Sequence, residues 1–329
     1  MKYVPVTFPV DGARLAGAIW EPSNGDESAP VVLAVHGITA SHLSWAMVAR
    51  FLQGVRLVAP DLRGRAGSAD APPPWNMTDH ADDLARVLDH LGVERAVLLG
   101  HSMGGFVAGW TAARHPDRVA ALVLVDGGLP LPWPAGIPKD ESAPARLLGP
   151  AGDRLTTVYP DRDAYLAFWR RHPAFAQHWN DDIEHYVLYD LDDVDGGVRP
   201  RTRLEAVATN IVQQSGNDGY LDAVAHSGAP IEFLHSPRGL LNDVPPLYPD
   251  AVLHAALEQV PRIRVHEVPD VNHYTIVLDE NGAERVAGVV ASAIGDARPG
   301  DADPSGQSLG QRRTREHGIL PTIPEGNRP

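Results

Sequence analysis

The chain predicts an α/β protein: a mostly parallel, doubly wound sheet with helices on both faces, interrupted once by an α-helical insertion. Three observations carry that expectation. Val31–Val35, Ala96–Leu99 and Val119–Val125 are apolar at every position rather than at alternate ones, as in strands covered on both faces. Segments with apolar residues at helical spacing separate such runs, and strand–helix alternation is what parallel pairing through crossover helices produces. Between about Leu129 and Ala225 the alternation stops, and that stretch holds ten of the chain's 21 aromatic residues.

Taken in order, Val4–Phe8 and Arg14–Glu21 read as two strands joined at Asp11-Gly12, a hairpin turn pair. The strand Val31–Val35 ends at His36-Gly37-Ile38-Thr39, and a helix is expected over Ser44–Leu52. Arg56–Ala59 is the next strand, ending at Asp61-Leu62-Arg63-Gly64. From Thr78 a helix carries Ala81, Leu84, Leu88 and Leu91 on one face and stops at Gly92. Its acids Asp79, Asp82 and Asp83 are expected to serve the helix dipole rather than a metal. The strand Val119–Val125 leads into Asp126-Gly127-Gly128. Within the aromatic-rich stretch, helices are expected at Arg162–Arg171 and Asp181–Leu191. The alternation then resumes with strand Ile231–His235, helix Pro249–Val260, strand Arg264–Val268 and helix Glu280–Ile294. The expected organisation is a core of residues 1–128 and 226–295, a helical cap over 129–225, and a disordered tail over 296–329, rich in Gly, Pro, Asp and Arg.

Composition excludes several classes of function. A net charge of −14 argues against nucleic acid or an anionic membrane as partner, since both are held by basic patches. With no cysteine there is no disulfide, no thiolate metal site and no cysteine nucleophile, which fits a reducing cytoplasm. The first residues alternate like a strand and lack the apolar core of a signal peptide, so a cytoplasmic protein is expected. No His/Asp cluster has metal spacing and no phosphate-binding loop is present, so no cofactor is expected.

The chemistry concentrates at Ala96-Val97-Leu98-Leu99-Gly100-His101-Ser102-Met103-Gly104-Gly105. An apolar strand, Gly-x-Ser-x-Gly and a following helix make a nucleophile elbow, a turn so tight that glycine is needed on both sides of the serine. The turn lifts the Ser102 hydroxyl out of the sheet. It also aims the Met103 N–H, at a helix N-terminus, toward the place where an oxyanion would form. In a parallel sheet the site lies beyond the carboxyl ends of the strands, and His36, Asp61, Ser102, Asp126 and His273 each follow an apolar run at such an end.

With His36-Gly37, Asp61-Leu62-Arg63-Gly64 followed by Gly67-Ser68, Gly100-His101-Ser102-Met103-Gly104, and Asn272-His273 before the last helix, the chain resembles the α/β-hydrolase superfamily over about residues 1–295. Members with these signatures are esterases, lactonases, carbon–carbon bond hydrolases and cofactor-free haloperoxidase-like enzymes. The resemblance implies Ser102 as nucleophile, His273 as base, and the Met103 and Ile38 N–H groups as oxyanion donors. Imidazole suits the base because it titrates near neutrality. His101 and His36 are expected to pack beside the elbow and shape the oxyanion loop. Most members carry the triad acid after the strand that follows the cap, where this chain has Gly239 at the usual offset and Asp243 farther along. Others carry it after the strand before the cap, where Asp126 stands, 24 residues past Ser102. Asp126 is the preferred candidate and Asp243 the alternative. The Asp61–Gly64 turn is expected to brace loops.

Cap aromatics, above all Trp133, Phe168 and Trp169, are candidates for an apolar, ring-lined substrate pocket. The expected function is therefore hydrolysis of a medium-sized, largely apolar ester or lactone through an acyl-enzyme. Carbon–carbon bond cleavage or perhydrolysis on the same triad is the alternative within the fold, and a non-catalytic ligand receptor is the alternative outside enzymes. Epoxide hydrolases and haloalkane dehalogenases are disfavoured because those relatives use aspartate where this chain has Ser102.

Overall fold

Why the strand runs are apolar throughout is plain in the computed structural model, which describes residues 1–216 and 219–297. Successive residues of one strand enter opposite cores: Val32 and Ala34 meet Trp45, Val48, Val286 and Val290, whereas Leu33 and Val35 meet Leu84, Leu88, Phe106 and Val107. Both faces are buried, so no position tolerates a polar side chain.

The chain opens with β1 (Lys2–Val10) and β2 (Ala13–Glu21), an antiparallel hairpin whose turn at Asp11-Gly12 places Gly12 at φ +70°. β3 (Val31–Val35) follows, then a 3₁₀ turn over His42–Trp45 running into α1 (Ala46–Phe51), where one continuous helix was expected. Ser41 caps that turn by accepting from Leu43 N–H at 3.3 Å. After β4 (Arg56–Pro60) comes α2 (Met77–His90), closed at its start by a capping box between Asn76 and Asp79. Only Asp79 of the three acids serves the helix start. Asp82 and Asp83 lie beyond the first turn; Asp82 binds Arg114 at 2.8 Å, and buried Asp83 holds Arg63 through two contacts of 2.5 and 2.8 Å. β5 (Ala96–His101), α3 (Met103–Arg114) and β6 (Val119–Val125) complete the first half.

The insert then leaves the sheet. It contains α4 (Ala143–Leu148), α5 (Pro150–Thr156), α6 (Arg162–Arg170), α7 (Asp181–Tyr189), a hairpin of β7 (Leu191–Val194) and β8 (Gly197–Pro200), and α8 (Leu204–Ile211). The hairpin was not anticipated, because each strand buries too few side chains to show a pattern. α9 (Tyr220–His226) falls inside the span read as cap but lies on the core. Tyr220 packs against Phe106 (tilted) and Trp110 (edge-to-face) of α3 with centroids 5.2 and 5.4 Å away, and its hydroxyl donates to Gly128 O at 2.9 Å.

β9 (Ile231–His235), α10 (Asp250–Gln259), β10 (Ile263–Glu267), α11 (Thr275–Leu278) and α12 (Glu280–Asp296) finish the described chain. The tail expected from residue 296 thus begins on the last helical residue, and 298–329 lie outside the described residues. The eight-stranded sheet has the order β1-β2-β4-β3-β5-β6-β9-β10, parallel from β4 onward. β4 and β5 flank β3 on opposite sides, so the winding reverses there and a crevice opens beyond the ends of β3 and β5. Among the described residues no helix is long and apolar enough to cross a membrane.

Candidate active site

At that crevice Ser102 sits at φ +55° and ψ −124°, a backbone conformation that residues with a Cβ hold only under constraint. Ser102 N–H donates to Val125 O and Gly105 N–H donates to Ser102 O, both at 3.0 Å. Crowding dictates the flanking glycines: a Cβ on Gly104 would strike Val35 O, and one on Gly100 would strike Gly104 O. Ser102 remains partly exposed between buried His101 and Met103.

Asp126 leaves β6 with its N–H donating to Leu234 O at 2.7 Å. Its fully buried carboxylate accepts from Ser236 N–H at 3.2 Å and Ser236 Oγ at 3.0 Å, and Oδ2 lies 2.7 Å from His273 Nδ1. His273 Nε2 in turn lies 3.1 Å from Ser102 Oγ. With Nδ1 against a carboxylate, the ring proton resides there and the Nε2 lone pair faces the hydroxyl. Such a line of groups can take up the serine proton and stabilise the resulting imidazolium. Asp243 is exposed in its loop, where its carbonyl accepts from Gly239 N–H at 2.8 Å, and it makes no hydrogen bond to His273 among the described residues.

Asn272 builds the loop that presents the imidazole. Its Oδ1 accepts from the N–H groups of Tyr274 and Thr275, each at 3.0 Å, and its Nδ2 donates to Ala174 O of the insert at 3.0 Å. The signal for this role was an asparagine opening a short Asx turn, which marks a turn without revealing what the turn presents.

Two further histidines are neutral supports. Burial pushes His36 down to about 4, against the pull of Asp61. Its Nε2 accepts from Leu62 N–H at 2.9 Å, which leaves the Nδ1 proton for Gly37 O at 2.7 Å. Burial, and then the neighbouring His273, push His101 down to about 3, and its Nε2–H donates to His273 O at 2.8 Å. Asp61 braces loops as expected. Burial opposes its charge, yet His42 holds its pKa below the usual value, and Oδ2 accepts from Tyr189 of the insert at 2.9 Å.

The Gly37–Ile38 loop, from which an oxyanion donor was expected, runs beside the serine: a Cβ on Gly37 would lie 3.3 Å from Ser102 Cβ. Among the described residues neither the Ile38 N–H nor the Met103 N–H has a hydrogen-bond partner. Both residues touch Arg65, which the sequence reading missed. Arg65 is fully buried, and each of its three nitrogens donates to a neutral acceptor. Nε donates to Ile38 O at 3.2 Å. Nη1 donates to Arg63 O at 2.8 Å and meets His80 Nε2 at 3.3 Å. Nη2 donates to Ala206 O at 3.2 Å and Asn210 Oδ1 at 2.5 Å, and lies 3.8 Å from Met103 Sδ. Burial lowers its pKa to about 9.

The three candidate substrate residues lie in different places. Trp169 is buried in a ring cluster and reaches Tyr274, the neighbour of His273, at 6.4 Å between centroids. Phe168 stacks on Tyr165 and meets Tyr159 edge-on in the same cluster, and among the described residues it makes no ring contact with His273. Trp133 donates to Ile137 O at 2.7 Å and lines clefts with Leu131, Pro132 and Ser215 that contain neither Ser102 nor His273.

Comparison with known proteins bears on the fold. The family described as alpha/beta hydrolase fold matches residues 30–160. Lipase LipV of Mycobacterium tuberculosis is 42% identical over 100 residues, 30% of this chain and 38% of that protein. Epoxide hydrolase 2 of Siraitia grosvenorii is 44% identical over 101 residues, 29% of this chain and 32% of that protein. The matches thus span less than two thirds of the length of either relative. The crystal structure of E-2-(acetamidomethylene)succinate hydrolase superposes with a TM-score of 0.73 at 22% identity, covering 89% of this chain and 100% of that one.

Proposed function

This chain is a member of the α/β-hydrolase superfamily, and from that premise we propose that it is a serine hydrolase cleaving carboxylic ester or lactone bonds through an acyl-enzyme. One observation carries the reading: the continuous line Asp126 Oδ2–His273 Nδ1–His273 Nε2–Ser102 Oγ, with steps of 2.7 and 3.1 Å. A serine hydroxyl becomes a nucleophile only when a positioned base removes its proton, and this is the geometry that does so.

In this mechanism Ser102 Oγ attacks the carbonyl carbon while His273 Nε2 accepts its proton. Asp126 keeps the imidazole in the required tautomer and stabilises its charged form. The tetrahedral oxyanion takes the N–H groups of Met103 and Ile38. As the carbon–oxygen bond breaks, His273 returns the proton to the alcohol. Water then attacks the acyl-enzyme, giving its proton to His273, and collapse releases the acid and Ser102. Opening an epoxide through an ester to the enzyme would need a carboxylate at position 102, where this chain has a hydroxyl. The insert is read as a cap, supported by Leu148, Leu155 and Val207 packing with Ile38 and by the Asn272–Ala174 bond.

The test combines a fluorophosphonate probe with p-nitrophenyl esters of graded acyl length. Labelling at Ser102 and measurable turnover are expected, with Ser102→Ala abolishing labelling and lowering kcat/KM by at least about 10⁴-fold. Full residual activity in that variant overturns the assignment. A folded protein that neither labels nor turns over is a receptor rather than an enzyme.

A further inference from the structure

The insert holds a second buried guanidinium, and its bonding is the reverse of that of Arg65. Arg154 of α5 is 6% exposed. Nη1 donates to Tyr165 OH at 2.9 Å, and the guanidinium lies over the Trp169 ring, 5.0 Å from its centroid. Nε and Nη2 find no acceptor among the described residues, and no carboxylate comes within ion-pair distance. Beneath it the Trp169 indole N–H is buried without a well-formed hydrogen bond, although the Tyr165 hydroxyl is near. Asp190 is the carboxylate whose field reaches Arg154. Its oxygens are engaged by Thr202, with contacts of 2.9 Å from Oγ and 3.2 Å from N–H. A buried indole N–H without a well-formed hydrogen bond is costly, and the Nε and Nη2 of Arg154 beside it, which are not among the buried atoms lacking a partner, remain open to an acceptor.

The position of these donors identifies what could supply it. Leu155, next to Arg154, belongs to the cluster packed against Ile38. Trp169 lies against Tyr274, whose ring is 5.5 Å from that of His273. α5 and α6 therefore bridge the two loops that flank Ser102, one bearing an oxyanion donor and the other the base. The walls around Arg154 are rings: Tyr165, Trp169 and, through Trp169, Phe175. A planar guanidinium with a free edge beside an indole donor matches a carboxylate, which can accept two bonds from the fork.

We propose that Arg154 and Trp169 form an anion subsite, and that the ester or lactone cleaved at Ser102 carries a carboxylate at the end of an apolar segment. This rests on the serine-hydrolase reading and names the substrate class for it. Arg65 is not the subsite, because each of its nitrogens already has an acceptor.

The experiment compares p-nitrophenyl monoesters of linear dicarboxylic acids, from succinate to suberate, with neutral p-nitrophenyl esters of the same chain lengths. A second arm sets 4-acetoxybenzoate against phenyl acetate, which moves the carboxylate to the leaving group. At one chain length or in the second arm, kcat/KM is expected to favour the anionic ester by about tenfold or more, the worth of one charge-assisted contact. Arg154→Met is expected to erase that ratio and Arg154→Lys to retain part of it, while Arg171→Met, on an exposed neighbour, leaves the ratio as it was. Thermal melts identify a variant that has not folded, in which case the Lys variant and calorimetric binding of adipate to the wild-type chain decide. Neutral esters cleaved with Ser102 labelled, but no anionic preference in either arm, overturn this inference and leave the hydrolase reading intact. If Ser102 does not label, the hydrolase reading fails first. Adipate bound by the wild type but not by Arg154→Met would then still support the subsite, and adipate unbound would overturn it.

Discussion

Arg65 and Arg154 are both buried guanidinium groups close to the loops around Ser102, yet one is saturated with hydrogen bonds and the other makes a single one. Arg65 ties the ends of four segments together: Ile38, Arg63, the His80 helix, and Ala206 with Asn210 on α8. Its charge has no carboxylate partner in contact, so its field acts on whatever lies nearby, and the nearest reacting position in the proposed mechanism is the oxyanion site between Ile38 and Met103. Arg154 instead leaves Nε and Nη2 without acceptors among the described residues. On the proposed reading the contrast separates two tasks. The core side fixes dipoles before substrate arrives, which is what transition-state stabilisation requires. The insert side leaves polar capacity unspent, which is what recognition of a particular substrate requires.

The largest expected effect lies on the core side. Asp126→Asn keeps the size of the side chain and most of its hydrogen bonds but no longer enforces the productive tautomer of His273. A fall in kcat of about 10³- to 10⁴-fold is expected, with Asp243→Asn within about threefold of the parent. If Asp243→Asn were the variant that collapsed, the role given to the 2.7 Å Asp126–His273 contact would be wrong. Next comes Arg65→Met, which strips donors from three backbone carbonyls, those of Ile38, Arg63 and Ala206. A loss of about ten- to a hundredfold in kcat with little change in KM is expected, since displacing an oxyanion donor removes binding made only in the transition state. A KM rise with unchanged kcat would assign Arg65 to substrate binding and erase the contrast with Arg154.

The core side was legible in the sequence to the extent that its geometry is local. The elbow forces Gly100 and Gly104 on the chain through clashes with residues that are near in sequence or in the adjacent strand, so the pattern survives as text. The choice between Asp126 and Asp243 is not local. It depends on which strand end faces a histidine 147 residues past Asp126, and on Leu234 of β9 gripping the Asp126 N–H. Arg65 and Arg154 were illegible for the same reason: an arginine in a loop or a short helix carries no mark of the acceptors that distant segments bring or fail to bring. The insert shows this most clearly. Two of its helices were readable from apolar spacing. The β7–β8 hairpin was not readable, and α9 was assigned to the insert because the Tyr220 contacts to α3 cross about 110 residues of chain.

The same two regions respond to pH in opposite directions, and this gives the smallest of the expected effects. Burial raises Asp190 of the insert from an ordinary value of 3.8 to about 7, against the pull of Arg154 and Thr202. A folded-state pKa above the unfolded one contributes stability that is complete below about 3.8 and is lost as pH rises to about 7. Burial lowers His36 and His101 of the core from 6.5 to about 4 and about 3. Their contribution is complete above about 6.5 and is lost as pH falls through that interval. Acid therefore works against the core and alkali against the insert. Asp190→Asn keeps the hydrogen bonds with Thr202, whose hydroxyl can turn to accept, and removes the buried charge. Its Tm relative to the parent is expected to rise by a few degrees between pH 5 and pH 8. A difference that stays flat or falls over that range would mean that Arg154 compensates Asp190 fully, and the guanidinium would then have no charge left for a ligand.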